Sequence, residues 1–292
     1  KKAGLIIKGY AGTGKTTIVS ALVKACNKKG LVVVLLAPTG RAAKVMSSYS
    51  GKESSTIHRC IYHVRQKKEG YFFSLAKNKA KNTLFVIDEA SMISGKDYGK
   101  SADIFASSLL SDLLTFIYSG KACKAIFVGD HAQLPPIGWQ TSPALDVHYL
   151  NDQQEADFYQ FELRQVVRQS KGSGILSEAT ILRNAIEDER FVLNISPNQK
   201  DVINVEPFDV QDHFETFFSP SAVGGAIIIC RSNKRANLYN AEIRARILGF
   251  EEEVAVGDLI MSVKNNYFWL GENAELGFIA NGDVLKVHRV YN

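Results

Sequence analysis

Residues Gly9 to Thr17 read GYAGTGKTT, a run that satisfies GxxxxGK followed by a hydroxyl residue. The chemistry open to such a run is phosphate binding. Its glycines let successive backbone N–H groups turn toward phosphate oxygens, Lys15 reaches β- and γ-phosphates, and Thr16 offers a hydroxyl to Mg²⁺. The candidate contact residues are Gly9, Ala11, Gly12, Thr13, Gly14, Lys15, Thr16 and Thr17. Leu5-Ile6-Ile7 precede the run as a strand, and a helical stretch from Thr16 to Lys29 follows and adds its positive end. A nucleoside triphosphate is therefore the expected ligand. Kinases, GTPases and motors share this loop, so the kind of machine must come from other residues.

Two further constellations bear chemistry. The apolar run Leu84–Ile87 ends in Asp88-Glu89, within LFVIDEAS. Carboxylates at the end of a central parallel strand lie on the same sheet edge as the loop, where Asp88 can hold Mg²⁺ and Glu89 can orient or deprotonate a water. The run Ala125–Val128 leads into GDHAQLPPIG, in which Gln133 can reach a γ-phosphate with a neutral amide and Pro135-Pro136 stiffens the exit.

The basic residues are distributed unevenly. Residues 1–82 hold 17 Lys or Arg against Glu53 and Glu69, a net +15, while the whole chain is only +5. That excess implies a polyanionic partner, with nucleic acid the natural one, although a solvated lysine-rich face has the same composition. Within this segment LLAPTGRAAKVM reads as a strand entering a helix, with Pro38, Thr39, Gly40 and Arg41 at the junction, and Thr56, His58 and Arg59 offer another hydroxyl, ring and cation. Together they read as a track for a nucleic-acid backbone.

These residues need a frame to hold them. Strands at Leu5–Ile7, Leu31–Leu36, Leu84–Ile87 and Ala125–Val128 alternate with helical patterns at 16–29, Gly40–Ser48 and Ile104–Tyr118. Such alternation predicts an α/β fold, a parallel sheet with helices on both faces. Residues Ile61 to Asn82 interrupt it as a β-hairpin around KKEG. After a less regular stretch to about Asp157 come the strand-like FYQFEL, a helix at Ile175–Ile186, a buried strand at Ala226–Cys230 and a helix at Asn233–Leu248. From Val254 the texture is β, with Asn281-Gly282 as a hairpin turn.

Composition excludes several classes. With 46% hydrophobic and 22% charged residues in 292, the chain reads as a globular protein large enough for two domains. Its longest purely apolar run, Leu31 to Ala37, is far short of a membrane span, and no secretory leader is visible, so the expected location is the cytoplasm. Cys26, Cys60, Cys123 and Cys230 form no CxxC pair and are expected to be reduced thiols rather than zinc ligands or disulfides.

The order of GYAGTGKTT, APTGRAA, TIHR, VIDEASM and VGDHAQLPPIG resembles the RecD-like and Dda-like branch of superfamily 1 DNA helicases. The resemblance implies a P-loop NTPase of RecA-like fold. A first RecA-like domain would span 1–157 with the hairpin 61–82 as a strand-separating pin. A partial second RecA-like domain would span 158–253, and 254–292 would begin an SH3-like insertion. It implies ATP and Mg²⁺ as cofactors and single-stranded DNA and DNA forks as substrates, with 5′ to 3′ movement. Subunits of a DNA repair or recombination complex are implied as partners.

Arg168 in ELRQVVRQ falls at the family's arginine finger, Ser232 and Asn233 fall where a DNA-facing Thr-Asn usually stands, and Tyr71, Phe72 and Phe73 would stack on bases at the fork. The family's glutamine segment before the loop and its last two motifs are missing, so truncation at both ends is expected, with adenine specificity and full motor coupling left open. Two other readings are compatible with parts of the pattern. One is a P-loop switch or small-substrate kinase, which leaves the basic excess unexplained. The other is a non-catalytic DNA-binding subunit of a nuclease complex, against which Lys15, Asp88, Glu89 and Gln133 all stand.

Overall fold

The computed structural model describes residues 3–67, 70–95, 108–154, 156–165, 173–188, 190, 200–219, 225–263, 266, 279 and 281–291, with backbone alone for 64–67, 70–73, 153–154 and 187. The chain divides into two compact units, Lys1–Lys171 with Val263–Asp283, and Gly172–Ser262 with Val284–Asn292.

In the first unit, β1 (Ala3–Gly9), α1 (Lys15–Lys28), β2 (Val32–Ala37) and α2 (Gly40–Ser50) follow the expected alternation. Next come β3 (Ser54–Thr56), the short α3 (Ile57–Ile61), and the hairpin strands β4 (Tyr62–Lys67) and β5 (Gly70–Leu75). The remaining elements are β6 (Thr83–Ile87), α4 (Leu109–Ser119), β7 (Lys124–Gly129), α5 (Val147–Gln154) and β8 (Asp157–Leu163). Six strands form one sheet in the order β3-β2-β6-β7-β1-β8, all pairs parallel.

The apolar runs build this sheet because successive side chains leave opposite faces. Ile6, Leu36, Phe85, Ile87, Ala125 and Phe127 enter one core with Leu110, Leu113 and Ile117 of α4. Their neighbours Ile7, Val33, Leu35, Val86, Ile126 and Val128 enter the other, covered by Val19 and Val23 of α1 and Met46 of α2. Both faces are thus filled, so the strands read as continuous apolar runs. Of the segment 61–82, Tyr62–Lys67 and Gly70–Leu75 form the hairpin strands, β4 antiparallel to β5 with Tyr62 opposite Leu75, while Ile61 ends α3 and 76–80 are irregular.

Several expectations are corrected. The domain boundary expected after residue 157 is displaced, because β8 pairs in parallel with β1 from Ala3↔Asp157 to Gly9↔Leu163 and so closes the first sheet. Residues 263–283 of the expected terminal β segment group with the first unit. The helix expected at Ile104–Tyr118 is Leu109–Ser119, its start capped by the Ser108 hydroxyl accepting from the Ser111 N–H, and residues 104–107 lie outside the described residues.

The second unit contains α6 (Gly174–Glu187), α7 (Val210–Phe217) and α8 (Asn233–Glu242), which continues into a π-helical turn Ile243–Ile247. A two-stranded antiparallel sheet joins β9 (Leu259–Met261) to β10 (Val284–Lys286). The buried strand expected at Ala226–Cys230 is not formed: the segment is irregular, and Ile227 and Ile229 are 83% and 91% exposed. A parallel strand needs a partner to take its N–H and C=O groups, and among the described residues none pairs with it. Asn281-Gly282 forms a turn with Gly282 at φ 88, and the strand after it pairs with β9. No helix among the described residues is long and apolar enough to cross a membrane.

Candidate nucleotide site

The sheet order places the C-terminal ends of β6, β7 and β1 side by side, and each end delivers a functional segment. From β1 the chain enters the phosphate loop. Gly12 and Gly14 take φ 82 and φ 88, a left-handed conformation that a side chain resists, and α1 then starts at Lys15 without a side-chain cap. The Thr13 hydroxyl donates to the Tyr10 carbonyl at 2.8 Å and is buried, so Thr13 shapes the loop from within. The Lys15 ammonium donates to the carbonyls of Gly9 at 2.6 Å and Tyr10 at 2.9 Å and stands 4.0 Å from the Asp130 carboxylate.

Asp88 leaves the end of β6 with its N–H donating to the Leu36 carbonyl of β2 at 2.9 Å. Both of its carboxylate oxygens are engaged: Oδ1 accepts from the Glu89 N–H at 2.9 Å, and Oδ2 accepts from the Tyr49 hydroxyl at 2.6 Å. Glu89 is held at φ 51, a conformation rare for a non-glycine residue and found where surrounding structure enforces it. Burial and then the neighbouring Asp88 charge raise the Glu89 pKa, while Lys15 and a hydrogen bond from Gln133 act in the opposite sense. From the turn after β7, the Gln133 carbonyl also accepts from the Ser91 hydroxyl at 3.2 Å. Asp130 is buried, and its Oδ1 accepts from the Ala132 N–H at 2.9 Å, which fixes the turn that presents Gln133.

Ala11, Gly12, Gly14, Lys15, Thr16, Thr17, Glu89 and Gln133 line one cleft of about 400 Å³. Its lining brings together the Lys15 cation, the Thr16 hydroxyl, the half-buried Glu89 carboxylate and the backbone of Gly12 and Gly14. The hydroxyl of Thr16 and the carboxylates of Glu89 and, beside it, Asp88 are the oxygen donors that a hard divalent cation takes. Among the described residues no group of His, Cys, Asp and Glu could hold a metal by itself. Beside the loop, His131 Nε2 lies 3.1 Å from the Tyr10 hydroxyl and 3.8 Å from Glu162 of β8.

The sequence candidates outside this cleft divide. Thr39 caps α2, its hydroxyl accepting from the Ala42 N–H at 3.2 Å, with Pro38 half-buried, Gly40 buried and Arg41 exposed. The Arg41 guanidinium donates to the Gly282 carbonyl at 3.3 Å. Thr56 is 0% exposed and its hydroxyl caps α3 by accepting from the Arg59 N–H, so it positions exposed His58 and Arg59 and offers no surface of its own. Ser232 caps α8 by accepting from the Arg235 N–H at 3.3 Å, and it and Asn233 are exposed in the second unit. The backbone of Tyr71, Phe72 and Phe73 lies in β5, with their side chains outside the described set, as is Arg168 entirely.

Two residues were given no site role from the sequence. Asp130 lies inside GDHAQLPPIG as the first residue past a parallel strand, the position that also marked Asp88. Tyr49 gave no signal, since a tyrosine in the last turn of an amphipathic helix reads as packing.

A family model described as AAA domain matches residues 1–192. The ATP-dependent DNA helicase dda of Enterobacteria phage T4 is 28% identical over 274 residues, 89% of this chain and 56% of that protein. The ATP-dependent RecD2 DNA helicase of Deinococcus radiodurans is 31% identical over 133 residues, 46% of this chain and 16% of that protein. The RecBCD enzyme subunit RecD of Buchnera aphidicola subsp. Schizaphis graminum is 34% identical over 155 residues, 46% of this chain and 23% of that protein. The chain therefore spans about half the length of the first of these relatives and less of the others.

Proposed function

The chain belongs to the AAA domain family and is similar to RecD-like and Dda-like superfamily 1 helicases, and on that premise we propose that it carries the ATP-driven motor of a DNA helicase. The observation that carries this reading is the gathering of Lys15, Glu89 and Gln133 in one cleft, with Asp88 fixed beside Glu89, at the ends of three adjacent parallel strands. The loop amides and Lys15 hold the β- and γ-phosphates of ATP, and Thr16 and Asp88 hold Mg²⁺. Bound Mg²⁺ supplies neutralisation of charge on the phosphate oxygens.

Glu89 is the base. As a water oxygen attacks the γ-phosphorus, its proton passes to the Glu89 carboxylate, the bond from phosphorus to the β–γ bridging oxygen breaks, and ADP departs with that electron pair. Gln133 hydrogen-bonds Glu89 and senses whether the γ-phosphate is present. Arg168 completes the site as the arginine finger, a role taken from the resemblance; such residues are worth about 10³–10⁵ in rate in other NTPases.

Single-stranded DNA follows Pro38, Thr39, Gly40, Arg41 and His58 in the first unit and Ser232 and Asn233 in the second, and Tyr71, Phe72 and Phe73 stack on bases at the fork. Movement is 5′ to 3′, and the similarity to a RecBCD subunit supports partnership in a repair or recombination complex. The test is unwinding by the full-length protein on duplexes with a 5′ or a 3′ single-stranded tail. ATP-dependent opening of the 5′-tailed duplex alone is expected; opening of neither overturns the motor, and opening of the 3′-tailed one overturns the direction.

A further inference from the structure

Helix α2 begins with the proposed DNA contacts and ends beside the hydrolysis site. Tyr49 stands in its last turn, where the Gly51 N–H donates to the Ser47 carbonyl and Gly51 takes φ 67 to end the helix. The helix is pinned to β3 by Ser54, whose N–H donates to the Ser47 hydroxyl at 2.9 Å and whose hydroxyl donates to the Ala43 carbonyl. The Tyr49 ring packs against the core of Ile7, Val19 and Val86, and it forms a wall of a second cleft, about 330 Å³, with Thr16, Thr17, Ser20 and Lys24. Its hydroxyl reaches Asp88 Oδ2 at 2.6 Å.

A carboxylate turns easily about its last torsion, where the energy well is broad. With only the Glu89 N–H on Oδ1, the Asp88 carboxylate could still swing about that bond; the second bond on Oδ2 removes the freedom. Each oxygen keeps a further lone pair to offer. We propose that Tyr49 is a positioning residue that orients Asp88 toward the cation site through its hydroxyl, making the rigidly held end of α2 part of the Mg²⁺ site. The inference rests on the assignment of Asp88 as a cation ligand. Partners that orient a metal's ligands are commonly worth 10–100-fold in metal affinity or activity.

The test uses Tyr49→Phe in the full-length protein, since phenylalanine keeps the packed ring and removes only the hydroxyl; the unsubstituted protein is the parent. A fluorescent ADP analogue is titrated in EDTA and across a Mg²⁺ series, with melting temperature as the check on folding. The expected result is unchanged melting and unchanged affinity in EDTA, with the Mg²⁺ concentration for half-maximal tight binding raised about tenfold. A variant that needs no more Mg²⁺ than the parent overturns the proposal, and so does one that loses nucleotide equally in EDTA. Should the parent prove indifferent to DNA, the motor reading fails while the Mg²⁺ shift still decides the role of Tyr49.

Discussion

Glu89 occupies a backbone conformation that costs on the order of 1 kcal/mol for a side chain other than glycine, and it is partly buried beside another carboxylate. Glu89 lines the cleft together with the phosphate loop, and a carboxylate whose affinity for a proton is raised suits the proposed base. Glu89→Gln keeps size and polarity while removing the proton acceptor. The expected outcome is a loss of about 10²–10⁴ in ATP turnover with nucleotide affinity retained, checked by steady-state hydrolysis alongside titration with a fluorescent nucleotide.

The raised pKa of Glu89 gives a second expectation at this scale. In the absence of Mg²⁺ and nucleotide, burial and then Asp88 favour the protonated form, so the Glu89 carboxyl is expected to take up its proton at higher pH than an ordinary glutamate. Carboxyl NMR in metal-free buffer checks this, and protonation within or below the ordinary glutamate range would contradict it.

At the scale of elements, the sheet positions the cleft and the second unit carries a polar anchor of its own. Arg244 grips Asp258 in a bidentate pair, Nε to Oδ1 and Nη2 to Oδ2, both at 2.8 Å, and the Ala255 N–H adds a third bond to Oδ2 at 2.8 Å. These bonds lower the Asp258 pKa, so its stabilisation is present above the unfolded value and is lost as pH falls through the depressed folded one. Asp258→Asn is expected to cost about 2 kcal/mol near neutral pH, and the wild-type pair to weaken only below about pH 4. Amide hydrogen exchange over residues 243–258 measures both.

In the first unit, Phe85→Ala removes a ring that is 2% exposed in the sheet's core and meets Phe116 edge-on at a centroid distance of 6.1 Å. A loss of about 3–5 kcal/mol in denaturant unfolding is expected.

The central strands and the loop were legible because period-two burial on both faces leaves continuous apolar runs, and because the phosphate loop has a fixed spacing. β3 was not: Ser54-Ser55-Thr56 carries no apolar pattern and exists as a strand because Leu35–Ala37 lend it a partner. α5 was hidden in the polar VHYLNDQQ, whose start is set by Asp146 Oδ1 accepting from the His148 and Tyr149 N–H groups. FYQFEL read as a strand, yet its place beside β1 depends on a pairing across more than half the chain that no local pattern records. Residues 226–230 show the reverse failure, an apolar run that reads as a strand and finds no partner among the described residues. Tyr49 reaches a carboxylate 39 positions away, a contact that sequence spacing cannot express.

For the whole molecule, the uneven charge favours the proposed DNA motor over other users of the same loop. The basic excess of residues 1–82 lies in the segment that forms β1 to β5 and α1 to α3. Phosphate contacts release counterions, so affinity for single strands should fall with salt, and each contact should contribute about 0.7 to the logarithmic slope. Arg41→Ala is expected to weaken binding uniformly across sequences and to reduce that slope by about 0.7, as read from fluorescence anisotropy over a salt series.

On the proposed function, occupancy of the DNA track drives the cleft. ATP turnover by the full-length protein, measured with and without saturating single-stranded DNA, decides this. DNA is expected to accelerate turnover and Glu89→Gln to abolish the accelerated rate. Turnover that is the same with and without DNA would contradict it.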